Sequence, residues 1–71
     1  MFYEGDKLVA VDSYQMEDGT SSLTVGRSYQ IDIVHYKGLS FSITGDDGIE
    51  IVVGFEEAKE IFDIDNIIEA E

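Results

Sequence analysis

The run LSFSITGDDGIEIVV, residues 39–53, admits few backbone arrangements. Leu39, Phe41 and Ile43 share one parity, with Ser40, Ser42 and Thr44 on the other. After an interruption, Ile49, Ile51 and Val53 again share a parity, opposite Glu50. A period of two is the mark of a half-buried strand. The interruption itself, Gly45-Asp46-Asp47-Gly48, carries the residues a hairpin turn requires, so the two halves fold back on each other. Upstream, RSYQIDIVHY (27–36) repeats the pattern: Tyr29, Ile31 and Ile33 alternate with Gln30 and Asp32, and His35 falls on the apolar parity. Lys37-Gly38 marks a tight turn between them. The expectation is a three-strand antiparallel meander, its inward side chains each contributing about 1.5–3 kcal/mol on burial.

The rest of the chain supplies shorter elements. KLVAVD (7–12) alternates weakly and reads as a first strand. SYQMEDGTSS (13–22) is a long polar loop with a turn signal at Asp18-Gly19. LTVG (23–26) ends on a glycine able to supply a positive φ before the next strand. In GFEEAKEIF, Phe55, Ala58, Ile61 and Phe62 fall within one helical arc and Glu56, Glu57 and Glu60 lie opposite. Glu56 and Glu57 also suit the positive end of a helix. Beyond Phe62 the wheel fails, because Asp65 and Glu69 would join the apolar face and Ile64 and Ile67 the charged one. A helix over 55–62 is expected, then a break, with IFDID (61–65) available as a last short strand and 66–71 as a loose final turn. Five short strands with glycine turns point to a small closed barrel, which also removes the exposed edges of so small a sheet.

Seventy-one residues allow a single domain over 1–71 and no second core. A chain of this size buries only about 60% of its unfolded surface. It has no cysteine, which excludes disulfides and Cys-based zinc or redox sites, and one histidine, His35, which cannot build a zinc site alone. The N-terminal MFYEGDKLVAV lacks a basic stretch followed by a long apolar core, and no apolar run is long enough to span a bilayer. No secretory signal and no membrane partner are expected, and a cytoplasmic setting follows from that reading.

Charge is the unusual quantity: 16 acids against four bases give −12. Residues 55–71 alone carry seven of those acids and one base, so half of the net charge sits in the acidic helix and tail. Such a field repels nucleic acids and anionic membranes and attracts basic surfaces.

The succession LTVGRSYQI, LSFSIT, GDDG, IEIVV and a helical turn ending in Phe resembles small SH3-like barrel proteins of bacteriophages and bacteria. In these an L-T-x-G-[KR]-x-Y-x-[VI] stretch enters the second strand and an acidic D-D-G turn precedes the fourth. Leu23, Thr24, Gly26, Arg27, Tyr29 and Ile31 fit the first pattern, and Asp46, Asp47 and Gly48 the second. The likeness spans roughly residues 7–62, its motifs are structural, and it carries over no defined activity. The acidic end after Val53 is longer than the family's single helical turn. The resemblance implies a mainly β, five-stranded SH3-like barrel with a short C-terminal helix. It also implies a phage-type accessory protein working in the host cytoplasm.

The chemistry-bearing residues are weighed against solvated charge. Asp46-Asp47-Gly48-Ile49-Glu50 and Asp63-Ile64-Asp65-Asn66 hold oxygen ligands close together, but neither continues as a calcium loop, so no metal or other cofactor is expected. Serines are plentiful, yet a nucleophile needs a base and the base an orienting group. His35 is the one histidine available, and the carboxylates lie at turns and on a polar helix face. No catalytic residues and no enzymatic activity are expected. Exposed aromatics (Phe2, Tyr3, Tyr14, Tyr36) without a basic groove do not make a nucleic-acid site. A peptide groove formed by Tyr14 with Glu17 and Asp18 would imitate SH3 domains, but the tryptophan such grooves rely on is missing.

A binding module for a basic protein surface is the remaining expectation. Glu56, Glu57, Glu60 and Asp63, joined by Asp46, Asp47 and Glu50, would occupy lysine and arginine sites that otherwise hold phosphate, on a host protein that handles nucleic acid or mediates defence. Tyr14, Tyr36 or Phe2 would add specificity, since charge mainly speeds encounter. Seven carboxylates over this segment would repeat about every 3.6 Å along a continuous helix, near the roughly 3.4 Å charge spacing of one DNA strand, although the break after Phe62 interrupts the match. Two alternatives stand beside this reading: a structural or assembly module, self-associating as a homodimer for example, whose acidity confers only solubility, and a small enzyme or ligand-binding barrel.

Overall fold

The computed structural model describes residues 2–15 and 22–69. Along the chain run β1 (Lys7–Val9), β2 (Tyr14–Gln15), β3 (Ser22–Leu23), β4 (Ser28–His35), β5 (Ser40–Thr44) and β6 (Glu50–Gly54). They are followed by helix α1 (Phe55–Ile61) and a 3-10 turn (Ile64–Asn66). Four strands make one antiparallel sheet in the order β1-β4-β5-β6, and β2 and β3 pair separately. The protein is thus mainly β, a four-stranded antiparallel sheet with one short helix.

The meander of β4, β5 and β6 follows the alternation in the sequence, with one interruption. Ile31 faces Ile43, but Ile33 faces Ser42, so an extra residue is accommodated in β4 between them. A bulge of this kind flips the parity of everything beyond it. Val34 is therefore buried while Ile33 is 46% exposed, contrary to the expected inward position of Ile33. His35 is likewise turned outward. Asp32, at the bulge, accepts a hydrogen bond from Thr44 Oγ1 at 2.9 Å.

Turns displace two more expected core residues. The β4–β5 turn places its positive φ at Leu39 (50°) rather than at Gly38, and Leu39 is exposed. Ile49 belongs to the β5–β6 turn, where Gly48 takes φ 85°, and is also exposed. Gly26 supplies the left-handed φ of 91° expected of it. The loop read as wholly polar contains the small β2–β3 hairpin, while Glu17 and Asp18 lie outside the described residues.

The helix forms as its apolar arc dictates. Ala58, Ile61 and Phe62 are buried, and Phe55 packs against the same core. Phe2 joins them, its ring 4.9 Å from Phe41 and 5.1 Å from Phe55, so it is a core residue and not a surface aromatic. Phe62 ends the helix in extended conformation and forms an isolated bridge with Ala10. No regular strand forms over 61–65; the chain turns through Ile64–Asn66 and bridges again from Ile68 to Lys7. Reciprocal bonds, Lys7 N–H to Ile68 O at 2.8 Å and Ile68 N–H to Lys7 O at 2.9 Å, lay this segment on the outer edge of β1. Among the described residues the sheet does not close on itself, so the expected barrel closure is replaced by an edge covered at β1 and an edge at β6.

Candidate protein-binding surface

Helix α1 holds three carboxylates outward because its other side is docked. Glu56, Glu57 and Glu60 are exposed. Glu56 pairs with Lys59 at 3.2 Å on the surface, and among the described residues no ion pair involves Glu57 or Glu60. Asp63 follows the helix and is half-buried; its backbone N–H donates to Val9 O and its carboxylate accepts from Asn66 Nδ2 at 2.9 Å. Asp63, Val11, Lys59, Phe62, Ile64 and Asp65 line an open groove of about 510 Å³.

The turn between β4 and β5 lies at the same end of the sheet as the start of α1, because Phe55 N–H donates to Leu39 O at 2.8 Å. Tyr36, 56% exposed, and Leu39 therefore belong to the turn at the end of the sheet where α1 starts. Tyr14 is placed by its pairing with Leu23 in the β2–β3 hairpin. Asp46 N–H donates to Ser22 O, which puts that hairpin beside the β5–β6 turn, away from α1.

Asp46, Asp47 and Glu50 form a second acidic locus. The length of β6 separates it from α1, about 13 Å at roughly 3.3 Å per residue. That exceeds the screening length of about 8 Å at physiological salt, so the two loci act on a partner largely independently. Within the second locus the acids differ. Glu50 is exposed. Asp47 caps its own turn, accepting from Ile49 N–H at 3.2 Å. Asp46, though at the surface, is committed to bonds within the protein: it accepts from Thr24 Oγ1 at 2.6 Å, Tyr29 OH at 2.6 Å and Arg27 Nη1 at 2.9 Å. The Tyr29 hydroxyl in turn accepts from Thr24 N–H at 2.7 Å.

These bonds hold the Asp46 carboxyl below its ordinary range, the Thr24 hydroxyl contributing most, then Tyr29, with the Arg27 charge adding to them. Burial pushes the Tyr29 hydroxyl up, and its donation to Asp46 acts in the same direction. The residues of the two sequence patterns, Thr24, Arg27 and Tyr29 in one and Asp46 in the other, thus meet in a single polar clamp between the β3–β4 turn and the β5–β6 turn. No family model, curated protein or solved structure matches the chain. The bonds of the clamp account for the patterns on physical grounds, as a structural device tying two turns together.

Other chemistry-bearing groups are dispersed. Among the described residues no three of His, Asp and Glu are placed to hold a metal ion. His35 Nε2 and Ser42 Oγ are hydrogen-bonded at 3.1 Å on the outer face of the sheet, but Ser42 is only 1% exposed. Among the described residues no carboxylate is bonded to His35. No helix of the described residues is long and apolar enough to cross a membrane.

Proposed function

We propose that the protein is a non-enzymatic binding module that docks a basic surface of another protein. The observation that carries the proposal is the docking of Phe55, Ala58, Ile61 and Phe62 against the sheet, which fixes Glu56, Glu57 and Glu60 outward on a packed element. An acidic face held this way presents charge without the ordering cost that a disordered tail meets on binding. The partner has clustered lysine and arginine, as proteins that grip phosphate do, and the module competes for those sites as an inhibitor of phage type. Tyr36 and Leu39, beside the start of α1, supply apolar contact.

The architecture behind this reading is an SH3-like arrangement. It is supported by the run of the C-terminal segment along β1, continuing the order into β4, β5 and β6, and by the β2–β3 hairpin within the long connection from β1 to β4.

Capture from a bacterial lysate tests the function. The immobilised protein should retain a basic protein at low salt and release it as salt rises. The combined change of Glu56, Glu57 and Glu60 to Gln should weaken capture roughly tenfold, from three rim charges at about 0.2–1 kcal/mol each. Unaltered capture by that variant, its fold intact by circular dichroism, would remove the helix from the binding surface.

A further inference from the structure

The two edges of the sheet are treated differently by the fold. The outer edge of β1 is covered by the C-terminal segment through Ile61, Asp63 and Ile68, whose backbone groups bond Val11, Val9 and Lys7. β6 is the last strand at the opposite edge. Its phase follows from the bonds that bracket it, Gly45 N–H to Ile49 O and Phe55 N–H to Leu39 O. In an antiparallel ladder bonded pairs alternate with unbonded ones. Ile51 and Val53 therefore spend their backbone groups on β5, and Glu50 and Val52 direct their N–H and C=O groups away from the sheet. Among the described residues nothing pairs with that edge. Glu50 and Val52 also point their side chains to the exposed face, Val52 being 55% exposed.

An open edge is a template for another strand. A second copy of this chain is a poor occupant, since each copy brings a charge of −12. Charge complementarity selects a cation. Asp47 and Glu50 flank one end of β6, and Glu56 and Glu57 stand just beyond the other. Val52 between them asks for an apolar side chain opposite, because directly opposed residues of antiparallel strands are the ones that interact.

Resting on the proposed function above, we infer that β6 takes up an extended segment of the partner as an added antiparallel strand. The segment has the pattern basic–x–apolar–x–basic, with one cation opposite Glu50, the apolar residue opposite Val52 and the second cation beside the start of α1. Backbone bonds supply the affinity, and the two end charges set the register.

The test uses the whole protein and two peptides of equal charge: acetyl-TKTVTKT-amide, able to form a strand, and acetyl-TKGPGKT-amide, which is not. The strand-forming peptide should bind at low salt and weaken as salt rises. It should slow amide hydrogen exchange at Glu50 and Val52 about tenfold at saturation, and bind roughly tenfold more tightly than its control, the worth of one or two net hydrogen bonds. Val52→Pro should abolish that preference while the fold survives, because proline is tolerated where the N–H of an edge strand faces outward. Equal binding of the two peptides with Val52 exchange unchanged would overturn strand addition and leave the acidic-surface reading standing. No binding of the strand-forming peptide at low salt would also overturn strand addition, whatever the lysate capture shows. Sedimentation as a dimer, with Val52 already protected, would assign the edge to a second copy instead.

Discussion

Asp46 shows how a single carboxylate can be read two ways. From sequence it belongs to an acidic hairpin turn, where water ordinarily keeps such groups free for a partner. In the structure its side chain is only 19% accessible and its oxygens hold Thr24, Arg27 and Tyr29. The spacing of Thr24, Arg27 and Tyr29 is legible along the chain; their convergence on Asp46, 17–22 residues away, is not, because nothing in local periodicity encodes which turn a hydroxyl will meet. Tyr29→Phe removes one donor from Asp46 and one acceptor from Thr24 N–H, and should cost about 1–2 kcal/mol by urea denaturation. The pH dependence has a definite sign. The folded protein holds Asp46 below its unfolded value, so its contribution is complete above about pH 4 and is lost as pH falls through the folded value. Asp46→Asn should therefore lower stability at neutral pH and flatten the acid limb of a stability–pH curve. A variant whose acid limb matches the wild type would show that other carboxylates govern acid unfolding.

At the scale of elements, α1 and the β4–β5–β6 meander are legible and their details are not. The helix is fixed by an apolar arc of four residues, and the structure ends it one residue before the expected boundary because Phe62 leaves to bridge Ala10. The meander keeps its alternation until the bulge in β4, which period counting cannot foresee: one unpaired residue exchanges Ile33 for Val34 in the core. That exchange can be measured. Ile31→Ala should cost about 2–5 kcal/mol, as a fully buried isoleucine does. Ile33→Ala, at an exposed position, should stay within about 0.5 kcal/mol. Equal losses would mean that Ile33 faces inward and that the bulge is absent. Phe62 is the element-scale keystone, since it contacts the Phe41 and Tyr29 rings at 6.3 and 6.4 Å and ends the helix. Phe62→Ala should cost about 3–5 kcal/mol, a large share of the roughly 4–11 kcal/mol available to a domain of this length. Thermal unfolding should then begin near room temperature.

Over the whole molecule the decisive quantity is the net charge of −12 on a body of 31 × 26 × 20 Å. At about 0.01 M salt the screening length is about 30 Å, so every carboxylate senses every other; at about 1 M it is about 3 Å and only neighbours interact. Two attractive ion pairs, Arg27–Asp46 and Lys59–Glu56, stand among the described residues against that repulsion. Repulsion should dominate, and the melting temperature should rise steadily with sodium chloride by several degrees, where about 1 kcal/mol corresponds to about 4–8 °C for a domain of this size. The charge total is legible in the sequence, but its division into a helix locus and a hairpin locus at opposite ends of β6 is a property of the fold. That division makes a sharper measurement available. Changing Glu56, Glu57 and Glu60 to Gln should raise the melting temperature at low salt, and the gain should vanish at high salt, because among the described residues the helix acids have no ion pair apart from the exposed Glu56–Lys59 contact, and the repulsion within a net charge of −12 outweighs the attraction of Glu56 and Glu57 to the helix N-terminus. If the same variant loses its basic partner while gaining stability, the acids are retained at a cost to folding, as expected of residues that act on another molecule. A melting temperature that falls with salt, or a variant less stable than the wild type, would place those carboxylates among the groups that hold the protein together and would remove the stability cost as an argument for α1 as a contact surface.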